Sequence, residues 1–232
     1  MAAEPPPLRR LQVRIAEATR AAAKPQYVVE KDYALSYLLA GMSQVELLRR
    51  LLVFKGGTCL RKVYYPGYRF SEDLDFTSRS PLACDELLTA LRQATERTSV
   101  LLDPMGPFSI EVEEEQHREP HPRDQCVFRV RVQFPWMRSP VCSLKVEVSA
   151  KEPLLAGPTD RELIHEFPGE ALAATVPSYL LEEVAVEKLR ALLQSRQHLD
   201  EHGWLRNRPR DHHELVDHLG DRRTVFGPAP RA

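Results

Sequence analysis

The segment from Lys55 to Phe76 constrains this 232-residue chain more than any other. Gly56 and Gly57 directly follow the apolar run Leu51-Leu52-Val53-Phe54. Two carboxylates, Asp73 and Asp75, then stand one residue apart beside Leu74 and Phe76. In a β-strand, residues i and i+2 share a face, roughly 6.6–7 Å apart. Asp73 and Asp75 therefore project from one side of a strand whose other side is apolar. Adjacent carboxylates repel unless a cation neutralises them. A hard divalent ion suits such a pair, because it completes its shell with water and substrate phosphates; Mg²⁺ is expected, with Mn²⁺ as the alternative. Residues without Cβ let a polyphosphate approach the backbone closely, which gives the glycine pair a purpose beside the acidic strand. The order strand, Gly-Gly, helix, strand, Asp-x-Asp predicts a metal–nucleotide site in an α/β fold.

The rest of the composition is that of an ordinary soluble globular protein, 43% hydrophobic and 28% charged. A formal net charge of -1 gives no global drive toward nucleic acid, so such binding needs a local patch. Cys59, Cys84, Cys126 and Cys142 are scattered without a C-x-x-C pair. Reduced thiols are expected, rather than a disulfide framework or a zinc site. No apolar run is long enough to cross a membrane and no signal-peptide core is present, so a cytoplasmic location and no membrane partner are expected.

Three parts follow along the chain: a leader and helix over 1–27, an α/β core over 28–152, and a helical C-terminal part with a frayed tail over 153–232. Helices are expected over 8–23, 28–39, 44–51 with Ser43 as cap, 58–64, 85–102, 179–193 with Ser178 as cap, and 209–219. The helix from Thr58 would direct its N-terminus at the glycines, a ready anion site. Strands are expected over 51–54, 71–77, 109–115, 126–134 and 142–149, the last three from alternation of apolar and polar residues. Beyond Pro153 no strand pattern is visible.

A third carboxylate would complete a two-metal arrangement. Glu147, in Lys145-Val146-Glu147-Val148, is the candidate, on the same strand face as Lys145 and Ser149. The row Glu111, Glu113, Glu115 competes for that role, but a run of like charges reads better as a solvated sheet edge. Lys188, on the helix Glu182–Arg190, has by periodicity alone no more claim than any solvated lysine. Asp211-His212-His213-Glu214 matches no zinc motif. Arg206, Arg208, Arg210, Arg222 and Arg223 form the densest basic stretch, equally a phosphate-binding patch or a charged surface.

Phe54-Lys55-Gly56-Gly57-Thr58-Cys59-Leu60-Arg61-Lys62, followed by Arg69-Phe70-Ser71-Glu72-Asp73-Leu74-Asp75, resembles the signature of the AbiEii/AbiGii-type nucleotidyltransferase toxins. That family, which includes MenT-like members, lies within the polymerase-β-like nucleotidyltransferase superfamily. The similarity extends through Glu30-Lys31-Asp32-Tyr33 upstream. Downstream it takes in Lys145-Val146-Glu147-Val148, Glu182-Glu183 to Ala191, and Arg210-Asp211.

The resemblance implies a nucleotidyltransferase fold with a mixed sheet, N-terminal helices and a short C-terminal helical domain. It implies that Gly57, Thr58 and Ser71 hold the triphosphate of an NTP, with Gly56 shaping the loop. Asp73, Asp75 and Glu147 would bind metal, Lys188 would contact nucleotide phosphates, and Asp211 would be the catalytic aspartate of the helical domain. The activity implied is transfer of a nucleoside monophosphate from an NTP to the 3′ end of tRNA. The protein would then be the toxin of a type IV toxin–antitoxin or abortive-infection system, inhibiting translation and growth and neutralised by a cognate antitoxin. Two alternatives stand beside this: an enzyme acting on a small molecule or a protein hydroxyl, and a nucleotide-binding module without turnover.

Overall fold

The computed structural model describes residues 8–115, 125–150 and 152–202. Two compact units result, one made of Met1–Leu154 and Pro158–Ser178, the other of Leu155–Gly157 and Tyr179–Ala232.

The first unit opens with α1 (Leu11–Ala22), α2 (Gln26–Ser43) and α3 (Glu46–Leu51). Pro25 ends the α1 pattern and stands just ahead of α2, where its fixed φ and missing N–H do no harm. Helix α2 is longer than its apolar spacing suggests because almost every residue from Val28 to Met42 is buried. Ser43 closes α2 rather than capping α3; its hydroxyl donates to the Ala40 carbonyl at 2.8 Å.

Strand β1 (Leu52–Lys55) runs into α4 (Gly56–Cys59), which widens into a π-type turn over Leu60–Tyr64. Then come β2 (Asp73–Ser78), α5 (Cys84–Leu102), β3 (Ser109–Glu114), β4 (Gln125–Gln133) and β5 (Cys142–Ser149). Two further strands, β6 (Thr159–Glu162) and β7 (Thr175–Ser178), lie where no strand is expected from the sequence. Among the described residues the sheet has seven strands in the order β3-β4-β5-β2-β1-β7-β6. The β2–β5 and β1–β7 pairings are parallel and the other four antiparallel, so the sheet is mixed.

Register explains the core. Phe54 lies opposite Phe76, Phe76 opposite Val148, Leu74 opposite Val146, and Val146 opposite Phe128. These side chains form one buried apolar face with Val130, Val132 and Leu144. Helices α2 and α5 cross on one another and pack on the sheet, α2 against β5 and β7, α5 against β3. They cross closely at Gly41, where a Cβ would lie 2.6 Å from the Ala94 carbonyl oxygen. The opposite face of the central strands is therefore left for polar side chains.

Two further expectations are corrected. Cys84, at the start of α5, and Cys126, near the start of β4, form a disulfide across 42 residues, with Cα atoms 5.6 Å apart. Only Cys59 and Cys142 remain as thiols, both buried. Spacing could not reveal this pairing, because α5 and the β3–β4 ribbon bring the two residues together, not a local motif. Cysteine usage thus no longer argues for a reducing compartment; no helix among the described residues is long and apolar enough to cross a membrane. Ser178 also does not cap the C-terminal helix. It ends β7, its hydroxyl donates to the Val176 carbonyl at 3.0 Å, and α6 spans Leu181–His202 in the second unit. The backbone N–H of Leu155, also in that unit, donates to Glu183 at 2.6 Å.

Candidate active site

Strand pairing gathers the polar face one residue at a time. Asp75 of β2 lies opposite Glu147 of β5 on one side and Lys55 of β1 on the other; Asp73 lies opposite Lys145. Residues in register on neighbouring strands point to the same side, so Asp73, Asp75, Glu147, Lys55 and Lys145 share one patch. Lys145 Nζ pairs with Glu147 Oε1, and Lys55 pairs with Glu152 just beyond β5.

Gly56 sits at the head of this patch with φ 78°, a left-handed conformation that suits only glycine without strain. A Cβ there would lie 2.5 Å from Asp75 Oδ2. The absence of a side chain at Gly56 is what leaves room beside the acidic strand. Thr58 is fully buried and its hydroxyl donates to the Asp73 carbonyl oxygen at 2.5 Å, fastening the glycine turn to β2. What this side chain offers a phosphate is the position of the backbone it holds. Ser71 is half-buried in the loop just before β2.

The electrostatics are those of an overcrowded anionic site. Burial, then the Glu147 and Asp73 carboxylates, push the Asp75 carboxyl up to about 7; Lys55 opposes the shift. Burial also raises Asp73, with Glu147 and Glu72 adding to it and Lys145 and Lys31 pulling the other way. The bond to Glu147 holds Lys145 above the usual lysine range. Among the described residues no three carboxylate, histidine or cysteine side chains are gathered as a ready ligand set. The donor chemistry nonetheless fits a hard divalent ion: carboxylate oxygens on one strand face, an Asp75 whose ionisation burial and the neighbouring carboxylates oppose, and open backbone at Gly56. Glu147 is shared between the Lys145 ammonium and the Asp75 carboxyl, with which it also hydrogen-bonds.

Behind the patch lies a brace whose function the sequence does not announce. Asp32 of α2 is buried and accepts from Arg61 Nε at 2.7 Å and from Lys62 Nζ at 2.9 Å. Lys62 also donates to Ser36 at 2.9 Å, and Arg61 pairs with Glu166 at 2.8 Å. Consecutive residues of a regular helix diverge by 100°; the widened π-type turn over Leu60–Tyr64 lets both cations reach one carboxylate. The Arg61 guanidinium also lies over the Phe70 ring, 4.1 Å from its centre, and Lys31 pairs with Glu72 at 2.5 Å. The loop that delivers Ser71 and Asp73 is thus pinned to α2. The available signal is Glu30-Lys31-Asp32 inside a largely apolar helix, together with Arg61-Lys62 in the helical turn that follows the glycine pair.

Of the other candidates, Glu113 and Glu115 at the sheet edge pair with Arg131 and Arg129, which accounts for that row without a metal. Lys188 lies on α6, in the second unit. Asp211, the histidines beside it and the arginines from Arg206 to Arg223 fall outside the described residues.

The site is framed by a strand, a Gly-Gly turn and an Asp-x-Asp strand joined in parallel to a carboxylate-bearing strand. The family model described as "Nucleotidyl transferase AbiEii toxin, Type IV TA system" matches residues 37–213. The chain belongs to the AbiEii family. Among solved structures, this AbiEii member is similar to MenT4, the nucleotidyltransferase toxin Rv2826c from Mycobacterium tuberculosis H37Rv, with 25% identity and a TM-score of 0.54. The match covers 77% of this chain and 58% of MenT4, so the AbiEii chain spans well under two thirds of that relative. No curated protein matches it.

Proposed function

We propose that this chain is a nucleotidyltransferase that moves a nucleoside monophosphate from an NTP to an acceptor hydroxyl, with the 3′ end of a tRNA as acceptor and growth inhibition as the result. The observation that carries this reading is the alignment of Asp73, Asp75 and Glu147 on adjacent parallel strands beside the bare backbone of Gly56. A divalent cation, Mg²⁺ or Mn²⁺, held by those three carboxylates would neutralise the triphosphate and acidify the attacking hydroxyl. Gly56 and Gly57 would admit the phosphates to the backbone, and Ser71 would donate a hydrogen bond to them. Lys188 would offset charge on the phosphates, a contribution that is often the largest in such sites. Asp211 would act as the aspartate that the resemblance implies for the C-terminal segment. In the transfer, the acceptor oxygen bonds to the α-phosphorus and the α–β bridging P–O bond breaks. Pyrophosphate leaves with the electron pair, and the hydroxyl proton passes to solvent. The type IV family implies a cognate antitoxin as partner.

The test is incubation of the full chain with each labelled NTP, Mg²⁺ or Mn²⁺, and total RNA, with protein and small-molecule fractions analysed in parallel. Label should enter RNA of tRNA size, and Asp75→Ala should lose at least about 10²-fold of it. Equal labelling by Asp75→Ala would overturn the mechanism; label in protein or small molecules would replace the acceptor.

A further inference from the structure

The polar face of the sheet carries two lysines, Lys55 and Lys145, that the metal–nucleotide reading leaves unused, and Lys145 is the one paired with a proposed metal ligand. Lys145 stands two residues before Glu147 on β5 and directly opposite Asp73 on β2. Its ammonium pairs with Glu147 Oε1, and the two side chains are 34% and 28% exposed, so the pair is neither locked in the core nor fully solvated. The nearby charges on this face are Asp73 and Glu115, both attractive to it, and Arg129, opposite Lys145 on β4 and itself paired with Glu115 at 2.7 Å. A cation already sits against the carboxylate that a divalent ion must recruit. Glu147 also meets the Asp75 carboxyl across the strand pair, so Lys145 and the aspartates share it.

The geometry points to Lys145 as the resident counter-cation of the active site, a positioning residue that holds Glu147 and competes with the divalent ion for it. Metal loading is then an exchange: the Lys145–Glu147 ion pair breaks as Glu147 turns to the metal. Lys145 thereby weakens metal binding to the bare protein and favours entry of the metal together with nucleotide, whose phosphates supply the missing anionic charge. This inference rests on the nucleotidyltransferase reading of the same site.

The experiment is Mn²⁺ binding to the full chain without nucleotide, followed by electron paramagnetic resonance of free Mn²⁺. Wild type is compared with Lys145→Met, Lys145→Gln, Lys145→Arg and Asp75→Asn, each checked by thermal melting. Lys145→Met and Lys145→Gln should bind Mn²⁺ about two- to fivefold tighter, the range that a partly exposed ion pair supports. Lys145→Arg should bind as wild type does. Structural damage would weaken binding, so tightening cannot arise from misfolding. Unchanged or weaker binding in both uncharged variants, with wild-type affinity still dependent on Asp75, overturns the assignment of Lys145 alone. Wild-type binding that is indifferent to Asp75→Asn overturns the metal reading of the site and this inference with it.

Discussion

Asp75 shows how one residue can be unfavourable for the empty fold and useful in the working site. Its carboxyl is pushed up to about 7 by burial and by the neighbouring Glu147 and Asp73, against about 3.9 in an unfolded chain. Between those values the native state holds a proton that the unfolded state has released. The contribution of Asp75 to stability is therefore largest below pH 4 and is lost as pH rises toward 7. A divalent ion reverses the balance by favouring the ionised form, so metal should stabilise the protein increasingly as pH rises through 7. In metal-free buffer, the melting temperature of wild type should fall relative to Asp75→Asn between pH 4.5 and 7.5. Added Mg²⁺ should raise wild type but not the variant. Parallel melting curves for the two proteins would show that Asp75 is not held in this way. Asp32 and Glu170, whose carboxyls are both held below the usual range, act with the opposite sign and mainly below pH 4, so they cancel in the comparison.

At the scale of elements, the segment from β1 to β2 and the strand β5 were readable because their residues speak locally. The glycine pair interrupts an apolar run, and alternation in Asp73–Phe76 and Leu144–Val148 separates an acidic face from a core face. What was not readable depends on partners distant in sequence. Strand β6, Thr159–Glu162, has no apolar alternation because it is an exposed edge, and β7 carries Pro177, which ordinarily argues against a strand. That proline is tolerated because β7 is registered with β1 only at Phe54 and Ser178. The brace between α2 and the π-type turn was hidden for the same reason. Asp32, Arg61 and Lys62 become meaningful only once the helices pack. Burial alone would raise the Asp32 carboxyl, but Lys62 and Arg61 more than offset this and hold it below the usual range. Replacing Asp32 by Asn would leave Lys62, only 1% exposed, as a buried cation facing a neutral group. Removing one partner of such a pair costs about 3–5 kcal/mol. Denaturant unfolding of Asp32→Asn should show a loss of that order. A change below about 1 kcal/mol would mean that the brace does not form, since surface pairs contribute no more than that.

The whole first unit depends on how its helical layer is tied to its sheet. The disulfide between Cys84 and Cys126 joins the start of α5 to β4 and encloses α5 and β3 in a covalent loop. A cross-link across 42 residues limits the unfolded chain by about 4 kcal/mol in the chain-entropy account, and native bonds of this kind typically contribute about 2–4 kcal/mol. None of the candidate active-site residues lies inside that loop; Asp73 and Asp75 precede it and Glu147 follows it, on the strand paired with β4. Reduction should therefore lower stability while leaving the carboxylate row in place, because β2 and β5 are joined by their own parallel ladder. In denaturant without reductant, two thiols should titrate, those of Cys59 and Cys142. Reductant, or the double variant Cys84→Ser/Cys126→Ser, should cost about 2–4 kcal/mol in unfolding experiments. Mn²⁺ affinity should be unchanged in the folded protein. Four thiols titrating before reduction would show that the bond does not form. A loss of metal binding on reduction would show that the covalent tie, rather than the ladder, holds Glu147 beside Asp75.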